Sequence, residues 1–307
     1  MKQHFLSIGE CMVELAQIAP DTYRRGFAGD TFNTAWYARR LLPQTWTVGY
    51  LSGIGEDAVS DEMCGFFREA GIQTDALRLV PARTVGLYMI STEAGERSFS
   101  YWRSESAARL LAEDERFLAQ HLAQAGMVHF SGITLAILSP QHRSSLCYAI
   151  GQARAQGAMV SFDTNLRPRL WEDADTMRAG LMLGASVADV VLPSFDEDGA
   201  LFGDATPKDT IERYCKAGAK TVLVKNGADP LTGFSKAGGA FELATSTVDK
   251  VIDSTAAGDS FAAGLMAGLA TGKSLQDAAK AATILAARVI QAPGALVPEI
   301  FQQGEQP

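Results

Sequence analysis

The 307-residue chain is poor in cysteine, histidine and positive charge. Its four cysteines lie far apart and form no Cys-x-x-Cys pair, so neither a disulfide framework nor a zinc site is expected. The four histidines show no metal-ligand spacing. Lysine and arginine total 27 against 35 aspartates and glutamates, a net charge of −8, and the basic residues are scattered. This charge distribution argues against nucleic-acid binding.

Long apolar runs are also missing. The first apolar run, residues 5–8, is too short for the core of a signal peptide, and the apolar C-terminal stretch is interrupted by Asp259, Lys280 and Arg288. We therefore expect a cytoplasmic protein with reduced thiols and no membrane helix. Apolar residues make up 47% of the chain, and a chain of this length buries roughly three quarters of its unfolded surface.

Short strand-like runs alternate with longer helical patterns along most of the chain. The predicted strands span residues 5–8, 47–51, 127–130, 158–162, 187–192 and 221–224. The predicted helices span residues 30–42, 58–70, 140–156, 208–217, 258–270 and 275–291. Asp30 or Thr31 is the expected cap of the first helix. This alternation predicts an α/β fold with a mainly parallel sheet covered on both faces.

Two segments, residues 10–27 and 84–103, break this rhythm. In the second, strand-like runs at 84–91 and 98–102 flank a turn-like link at 93–96. Together the segments predict a small antiparallel sheet that stands off the main sheet. It would serve as a lid over the C-terminal edge of the parallel strands, where α/β sheets bind ligands. An edge hairpin with no role is the alternative interpretation.

Residues 253–261 read Asp-Ser-Thr-Ala-Ala-Gly-Asp-Ser-Phe, a run of small residues directly before a predicted helix. Small residues let the backbone approach a ligand closely, and the free N–H groups of a helix N-terminus attract anions. At that position Asp259 is suited to accept a proton from a hydroxyl that attacks phosphorus. A simple helix cap is the alternative role.

This run resembles the D-T-x-G-A-G-D motif of the ribokinase-like carbohydrate kinases, the phosphofructokinase-B family. The resemblance implies that Asp259 is the catalytic base and that Ala256, Ala257 and Gly258 form the anion hole, with Ala256 standing where glycine is common. It also implies a ribokinase-like three-layer α/β/α fold. The expected organisation is one domain over residues 1–307, with lid segments at about 10–35 and 83–105.

Further motifs extend the resemblance over nearly the whole chain. Residues 29–35 resemble the family's G-G-x-x-x-N-x-A, with Ala28 in place of the first glycine, which implies that Gly29, Asp30 and Asn33 contact sugar hydroxyls. Residues 53–57 match G-x-G-x-D, which we interpret as structural.

Three other motifs indicate where ATP would bind. Residues 163–168 match D-x-N-x-R-P, residues 225–228 resemble the start of K-x-G-x-x-G, and residues 193–197 align with N-x-x-E. The implied nucleotide-binding residues are Asn165, Arg167, Ser194, Lys225, Asn226, Gly227, Ala228, Ala257 and Gly258. The resemblance places Mg²⁺ near Glu197 through water, and a monovalent cation such as K⁺ near Asp253 and Thr255.

Two arginines bear on the substrate, because a guanidinium binds a carboxylate through two parallel hydrogen bonds. Arg103 follows the second lid strand and Arg167 follows a main-sheet strand, which would place both between lid and core unless each is an ordinary surface arginine. Residues 9–15 and 162–171 and the Tyr-x-Arg at 101–103 resemble the 2-keto-3-deoxygluconate kinases, a sugar-acid branch of the family. This resemblance implies that Tyr88, Tyr101, Arg103, Arg167 and Asp259 hold the sugar acid. Strand alternation puts Trp102 on the opposite face, where we expect it to pack elsewhere.

The expected activity is the ATP-dependent phosphorylation of 2-keto-3-deoxygluconate at its 6-hydroxyl, giving 2-keto-3-deoxy-6-phosphogluconate. A fructokinase or ribokinase of the same family is the nearest alternative. A dehydrogenase would need G-x-G-x-x-G after the strand that ends at Ile8, and the chain lacks it there. A non-catalytic sugar sensor would be favoured by loss of the base, but Asp259 is present. Exposed lid strands predict a homo-oligomer.

Overall fold

The computed structural model describes residues 2–93, 96–246 and 248–302. The strands are β1 His4–Ile8, β2 Met12–Ala19, β3 Thr22–Ala28, β4 Thr47–Ile54, β5 Leu77–Leu79, β6 Leu87–Glu93, β7 Glu96–Trp102, β8 Met127–Ser131, β9 Met159–Asp163, β10 Val190–Leu192, β11 Thr221–Val224, β12 Leu231–Ser235 and β13 Gly239–Leu243. The α-helices are α1 Asp30–Leu41, α2 Ala58–Glu69, α3 Glu115–Leu122, α4 Gly132–Ala136, α5 Pro140–Ala155, α6 Ala174–Ser186, α7 Phe195–Phe202, α8 Pro207–Ala217, α9 Ala257–Ala270 and α10 Leu275–Val289. Part of the turn predicted at 93–96 lies outside the described residues.

Over the described ranges, nine strands form the larger sheet, in the order β13-β12-β11-β10-β9-β8-β1-β4-β5. The strands from β11 to β5 pair in parallel, whereas β12 and β13 form an antiparallel extension at one edge. One face of the sheet packs against a layer that includes α1 and α9, and the other against a layer that includes α5 and α6. The predicted three-layer α/β fold is therefore confirmed.

A second sheet, in the order β3-β2-β6-β7, contains the segments predicted to form the lid. It consists of two antiparallel pairs, β2–β3 and β6–β7, joined in parallel between β2 and β6. A parallel pair requires a long crossover, and here the chain passes through α1, β4, α2 and β5 between these two strands. The predicted small sheet is present, although its central pairing is parallel.

Capping explains several helix boundaries. The Asp57 carboxylate accepts hydrogen bonds at 3.1 Å from the backbone N–H groups of Val59 and Ser60, which starts α2. Gly71, at φ +76°, ends this helix as predicted. The expected side-chain cap of α1 is wrong: Gly29 occupies the cap position and no side chain caps the helix. The Asp30 carboxylate instead accepts hydrogen bonds from Ser131 and Asn165, at the C-terminal ends of β8 and β9.

The strand predicted at 187–192 begins only at Val190, because the unpredicted helix α6 continues to Ser186 and Val187 ends it. The hairpin of β12 and β13 was also not predicted. Within the described ranges, no helix has the length and apolarity needed to cross a membrane.

Candidate active site

The carboxylate of Asp259 lies in the first turn of α9. Ala256 precedes this helix in a left-handed conformation, with φ 60° and ψ 16°, which turns the chain sharply into α9. The family's common glycine at this position adopts such a backbone without the steric penalty that a Cβ brings. Ala256 occupies the cap position without a side-chain hydrogen bond, so Asp259 does not serve as the cap of α9.

Helix α1 holds Asp259 in place from the opposite side. The Asn33 Nδ2 donates a hydrogen bond of 2.8 Å to Asp259 Oδ2, and the Thr34 hydroxyl donates to the Asp259 carbonyl at 3.2 Å. Burial raises the pKa of the Asp259 carboxyl well above its ordinary value, as do the negative charges of Asp30 and Asp163. The Asn33 hydrogen bond and the Lys225 ammonium act in the opposite direction. The Asp259 carboxylate is therefore oriented by Asn33 in the first turn of α9, and its burial favours the protonated form.

An ion pair lies beside this helix N-terminus. The Lys225 ammonium is 3.0 and 2.9 Å from the two carboxylate oxygens of Asp163, which is 4% exposed. Gly258 packs close to the pair: a Cβ there would lie 3.3 Å from Lys225 Nζ. The motif-based reasoning included Lys225 but did not name Asp163 as a site residue. Its position at the end of β9, two residues before Asn165, was the available signal.

Asp30 connects the first motif to the D-x-N-x-R-P segment. Its Oδ2 accepts hydrogen bonds from the Ser131 hydroxyl at 2.5 Å and from Asn165 Nδ2 at 2.8 Å. Burial raises the pKa of the Asp30 carboxyl, and the Ser131 hydrogen bond lowers it. Asn165 itself is in a left-handed conformation, at φ 31°. Gly29 lies next to Asp30, and its N–H donates to Asn33 Oδ1 at 3.4 Å. Sequence reasoning missed Ser131, whose capping box with Thr134 at the end of β8 was the only local signal.

Arg167 and Glu197 form a partly exposed pair near these groups. Arg167 Nη1 lies 3.3 Å from Glu197 Oε1, and the two side chains are 49% and 36% exposed. Burial raises the pKa of the Glu197 carboxyl, whereas the positive charges of Arg167 and Lys225 lower it. Ser194 directly precedes α7, and its side chain makes no capping hydrogen bond there. The chain on either side of Ser194 is tied to Lys225, which follows β11: Lys225 N–H donates to the Pro193 carbonyl, and Phe195 N–H donates to the Lys225 carbonyl, both at 2.8 Å.

The loop after Lys225 leads into the antiparallel edge of the main sheet. Asp229 N–H donates to the Asn226 carbonyl at 2.9 Å, and Gly227 adopts φ +58°. The Ala228 carbonyl accepts a hydrogen bond of 2.5 Å from the Thr245 hydroxyl. These residues therefore form a defined turn at the C-terminal end of β11, beside the residues that surround Asp259.

The lid residues are held by glutamates. The Tyr88 hydroxyl donates to Glu14, and the Arg103 guanidinium pairs with Glu10. Tyr88 and Tyr101 are register partners, with ring centroids 6.0 Å apart, and Tyr101 is 52% exposed.

The two arginines expected between lid and core are each paired with a carboxylate, Arg103 with Glu10 and Arg167 with Glu197. One expectation for the lid is wrong. Trp102, expected to pack elsewhere, is 57% exposed. Trp102 ends β7, which is an edge strand of the second sheet, so more than half of the residue's surface is in solvent.

The carboxylates of this site are suited to bind Mg²⁺ together with phosphate oxygens and water, but not to bind it alone. Among the described residues, no cluster of three or more histidines, cysteines, aspartates or glutamates could hold a metal. Mg²⁺ is commonly bound by one or two carboxylates together with substrate phosphates and waters. Glu197 and Asp163, both within electrostatic range of Lys225, are such carboxylates. His129 lies apart from these carboxylates in the core: it is 1% exposed, and its Nδ1 is 3.2 Å from the Ser161 hydroxyl.

Comparison with known proteins agrees with this geometry. Residues 2–300 match the pfkB family of carbohydrate kinases. The chain is 39% identical over 304 residues to the 2-dehydro-3-deoxygluconokinase of Escherichia coli (strain K12), covering 97% of this chain and 98% of that protein. Among solved structures, a PfkB protein from Polaromonas sp. JS666 matches with a TM-score of 0.84 and 27% identity, covering 99% and 100% of the two chains. A fructokinase with bound ATP from Xylella fastidiosa matches with a TM-score of 0.83 and 26% identity, covering 96% and 94%. The chain belongs to the pfkB family of carbohydrate kinases.

Proposed function

We propose that the protein transfers the γ-phosphoryl group of ATP to the 6-hydroxyl of 2-keto-3-deoxygluconate, giving 2-keto-3-deoxy-6-phosphogluconate. The observation that carries the reaction type is the Asp259 carboxylate, held by Asn33 in the first turn of α9. The similarity to the Escherichia coli 2-dehydro-3-deoxygluconokinase supports the choice of substrate, since 2-dehydro-3-deoxygluconate is another name for the same sugar acid.

The arrangement suits general base catalysis. Asp259 accepts the proton of the 6-hydroxyl as its oxygen bonds to the γ-phosphorus, and the bond from that phosphorus to the bridging oxygen of ADP breaks. The backbone N–H groups of Ala256, Ala257 and Gly258 stabilise the negative charge of the transferring group. A raised pKa favours acceptance of the proton by Asp259, while Asn33 and Lys225 favour the ionised form that the reaction needs.

The residues around this base divide into a nucleotide side and a sugar side. On the nucleotide side the proposal places Asn165, Arg167, Ser194, Lys225, Asn226, Gly227, Ala228, Ala257 and Gly258. Glu197 would hold Mg²⁺ through water, and that ion supplies positive charge to the phosphates when bound. On the sugar side the proposal places Gly29, Asp30, Asn33, Tyr88, Tyr101, Arg103 and Arg167.

The second sheet acts as a lid in this proposal. Its strands lie within the segments at about 10–35 and 83–105 of a single domain, and closure would exclude water that otherwise hydrolyses ATP.

The proposal further includes a cytoplasmic location, a homo-oligomer that forms through the lid strands, and a K⁺ ion near Asp253 and Thr255. Analytical ultracentrifugation tests the oligomer, and turnover in KCl against tetramethylammonium chloride tests the cation.

A fructokinase or ribokinase is the second candidate, and one observation favours it. The Glu10 carboxylate already neutralises Arg103, so the lid arginine brings no net positive charge to attract an acid. A coupled assay of ADP formation with 2-keto-3-deoxygluconate, fructose and ribose decides between the candidates. We expect the sugar acid to have the highest kcat/KM; a higher value for either neutral sugar would reject the proposed substrate.

A further inference from the structure

The segment at residues 9–15 carries two glutamates that each bind a lid side chain. The Tyr88 hydroxyl donates to Glu14 Oε2, and Arg103 Nη2 donates to Glu10 Oε2. Tyr88 and Arg103 are two of the residues proposed to hold the sugar acid. Both glutamates of this segment therefore contact side chains that are proposed to recognise the sugar acid.

The Glu10–Arg103 pair is almost fully buried. The exposed fraction of the side chain is 1% for Glu10 and 9% for Arg103. One hydrogen bond joins the two, and within the described chain Glu10 Oε1 and Arg103 Nε have no hydrogen-bond partner. Separating such a pair would leave a buried carboxylate without a counter-charge, which is strongly unfavourable. Arg103 therefore stays on Glu10 and is not released to an arriving substrate.

Because it remains paired, Arg103 offers directed N–H donors without adding net charge. A guanidinium has five N–H donors in a fixed plane, and Glu10 occupies one of them. The orientation of this plane sets where the remaining donors point. The main chain of Glu10 is also fixed against the sugar-binding motif, since a Cβ at Gly29 would lie 2.1 Å from the Glu10 carbonyl oxygen.

We propose that Glu10 is a positioning residue that determines specificity for the acid: its ion pair orients the Arg103 guanidinium toward the substrate carboxylate. This inference rests on the proposed function. Glu10 acts entirely through Arg103 and does not touch the substrate.

A double-mutant cycle tests this inference on the full-length enzyme. The variants are Glu10→Gln, Arg103→Gln and the double substitution, and the readouts are kcat and the KM values for 2-keto-3-deoxygluconate and ATP. We expect Glu10→Gln to raise the KM for the acid about tenfold, as loss of a charge-assisted hydrogen bond does, with the KM for ATP unchanged. The double variant should be no worse than Arg103→Gln alone, because the two residues act as one unit.

Glu62→Gln is the matched control. Glu62 pairs with Arg25 of β3, also between the second sheet and the main domain, but the two side chains are 49% and 48% exposed. This control should leave the KM for the acid unchanged.

Gly86→Ala gives a second route if Glu10→Gln fails to fold. A Cβ at Gly86 would lie 2.8 Å from Glu10 Oε1 and 3.2 Å from Arg103 Cβ, so it displaces the pair without removing a polar atom. A raised KM for the acid supports the inference, and an unchanged KM contradicts it.

The remaining outcomes distinguish failure of this inference from failure of the proposed function. Additive losses in the cycle, or a KM for the acid at or below wild type in Glu10→Gln, overturn the inference alone. A wild-type enzyme that does not phosphorylate the acid overturns the proposed function, and the inference falls with it.

Discussion

Asn33 Nδ2 lies 2.8 Å from Asp259 Oδ2, although the two residues are 226 positions apart in the chain. This hydrogen bond joins the first and last motifs of the chain across the packed helices α1 and α9. Asn33, which sequence resemblance assigns to the sugar, therefore also orients the proposed base and favours its ionised form. The motifs proposed for sugar binding and for phosphoryl transfer therefore form one hydrogen-bonded unit.

Replacement of Asn33 should change the pH dependence of turnover. The Asn33 hydrogen bond lowers the pKa of Asp259, so Asn33→Ala should raise that pKa further. Because the base acts only when ionised, the acidic limb of kcat against pH should move to higher pH. Asn33 also lies in the proposed sugar site, so the limb in kcat, measured at saturating sugar, is the informative quantity. A limb that stays in place or moves to lower pH would contradict this role.

Replacement of Asp259 tests the base directly. Asp259→Asn keeps the shape and the contact with Asn33 but removes the proton acceptor. We expect kcat to fall about 10³-fold, within the range that general base catalysis contributes, while ATP binding measured by calorimetry persists. Asp175→Asn, at a side chain 95% exposed on α6, is the control and should retain wild-type turnover. Full activity in Asp259→Asn would exclude the base assignment.

Loss of Lys225 should destabilise the fold as well as the site. Lys225→Met leaves the Asp163 carboxylate, 6% exposed at its side chain, without its ammonium partner. We expect a loss of about 3 kcal/mol in the free energy of unfolding by urea, as for other broken buried pairs. Lys216→Met breaks an exposed pair with Glu212, where the side chains are 78% and 68% exposed, and should cost less than about 1 kcal/mol. Equal losses in the free energy of unfolding for the two variants would show that the buried pair stabilises the fold no more than the exposed pair does.

The local features of this fold were predictable from the sequence, and the long-range contacts were not. Most strands and helices follow from periodicity and turn residues, and the sharp turn before α9 follows from its small residues. Helix α6 escaped prediction because it contains Gly180 and Gly184, which lower helix propensity. These glycines make room for neighbours: a Cβ would lie 2.3 Å from Trp171 at Gly180 and 2.7 Å from Phe162 at Gly184.

Contacts of the site depend on the same long-range packing. Ser131 binds Asp30 across 101 positions, and Glu10 binds Arg103 across 93. A motif can identify either partner of such a pair, but no local pattern indicates that the two side chains meet. The sequence therefore identifies candidate site residues better than it predicts what each of them contacts.

The buried imidazole of His129 should make the fold sensitive to acid. Burial lowers its pKa from 6.5 to about 4 in the folded protein, so over this interval the unfolded chain binds a proton that the folded chain does not. Stability from this group is present above pH 6.5 and is lost as the pH falls toward 4. This pKa shift corresponds to about 3 kcal/mol in the free energy of unfolding. Asp259 and Asp30 act in the opposite direction, because their raised pKa values favour the folded protein as the pH falls.

A comparison of two proteins isolates the contribution of His129. The free energy of unfolding by urea is measured between pH 7 and pH 4.5 for the wild type and for His129→Gln, so that the aspartates contribute equally to both. The wild type should lose stability relative to the variant as the pH falls, because only the wild type carries the buried imidazole. His142→Gln, which retains His129, should keep the wild-type slope. Parallel curves for wild type and His129→Gln would show that this imidazole is protonated equally in the folded and unfolded chains.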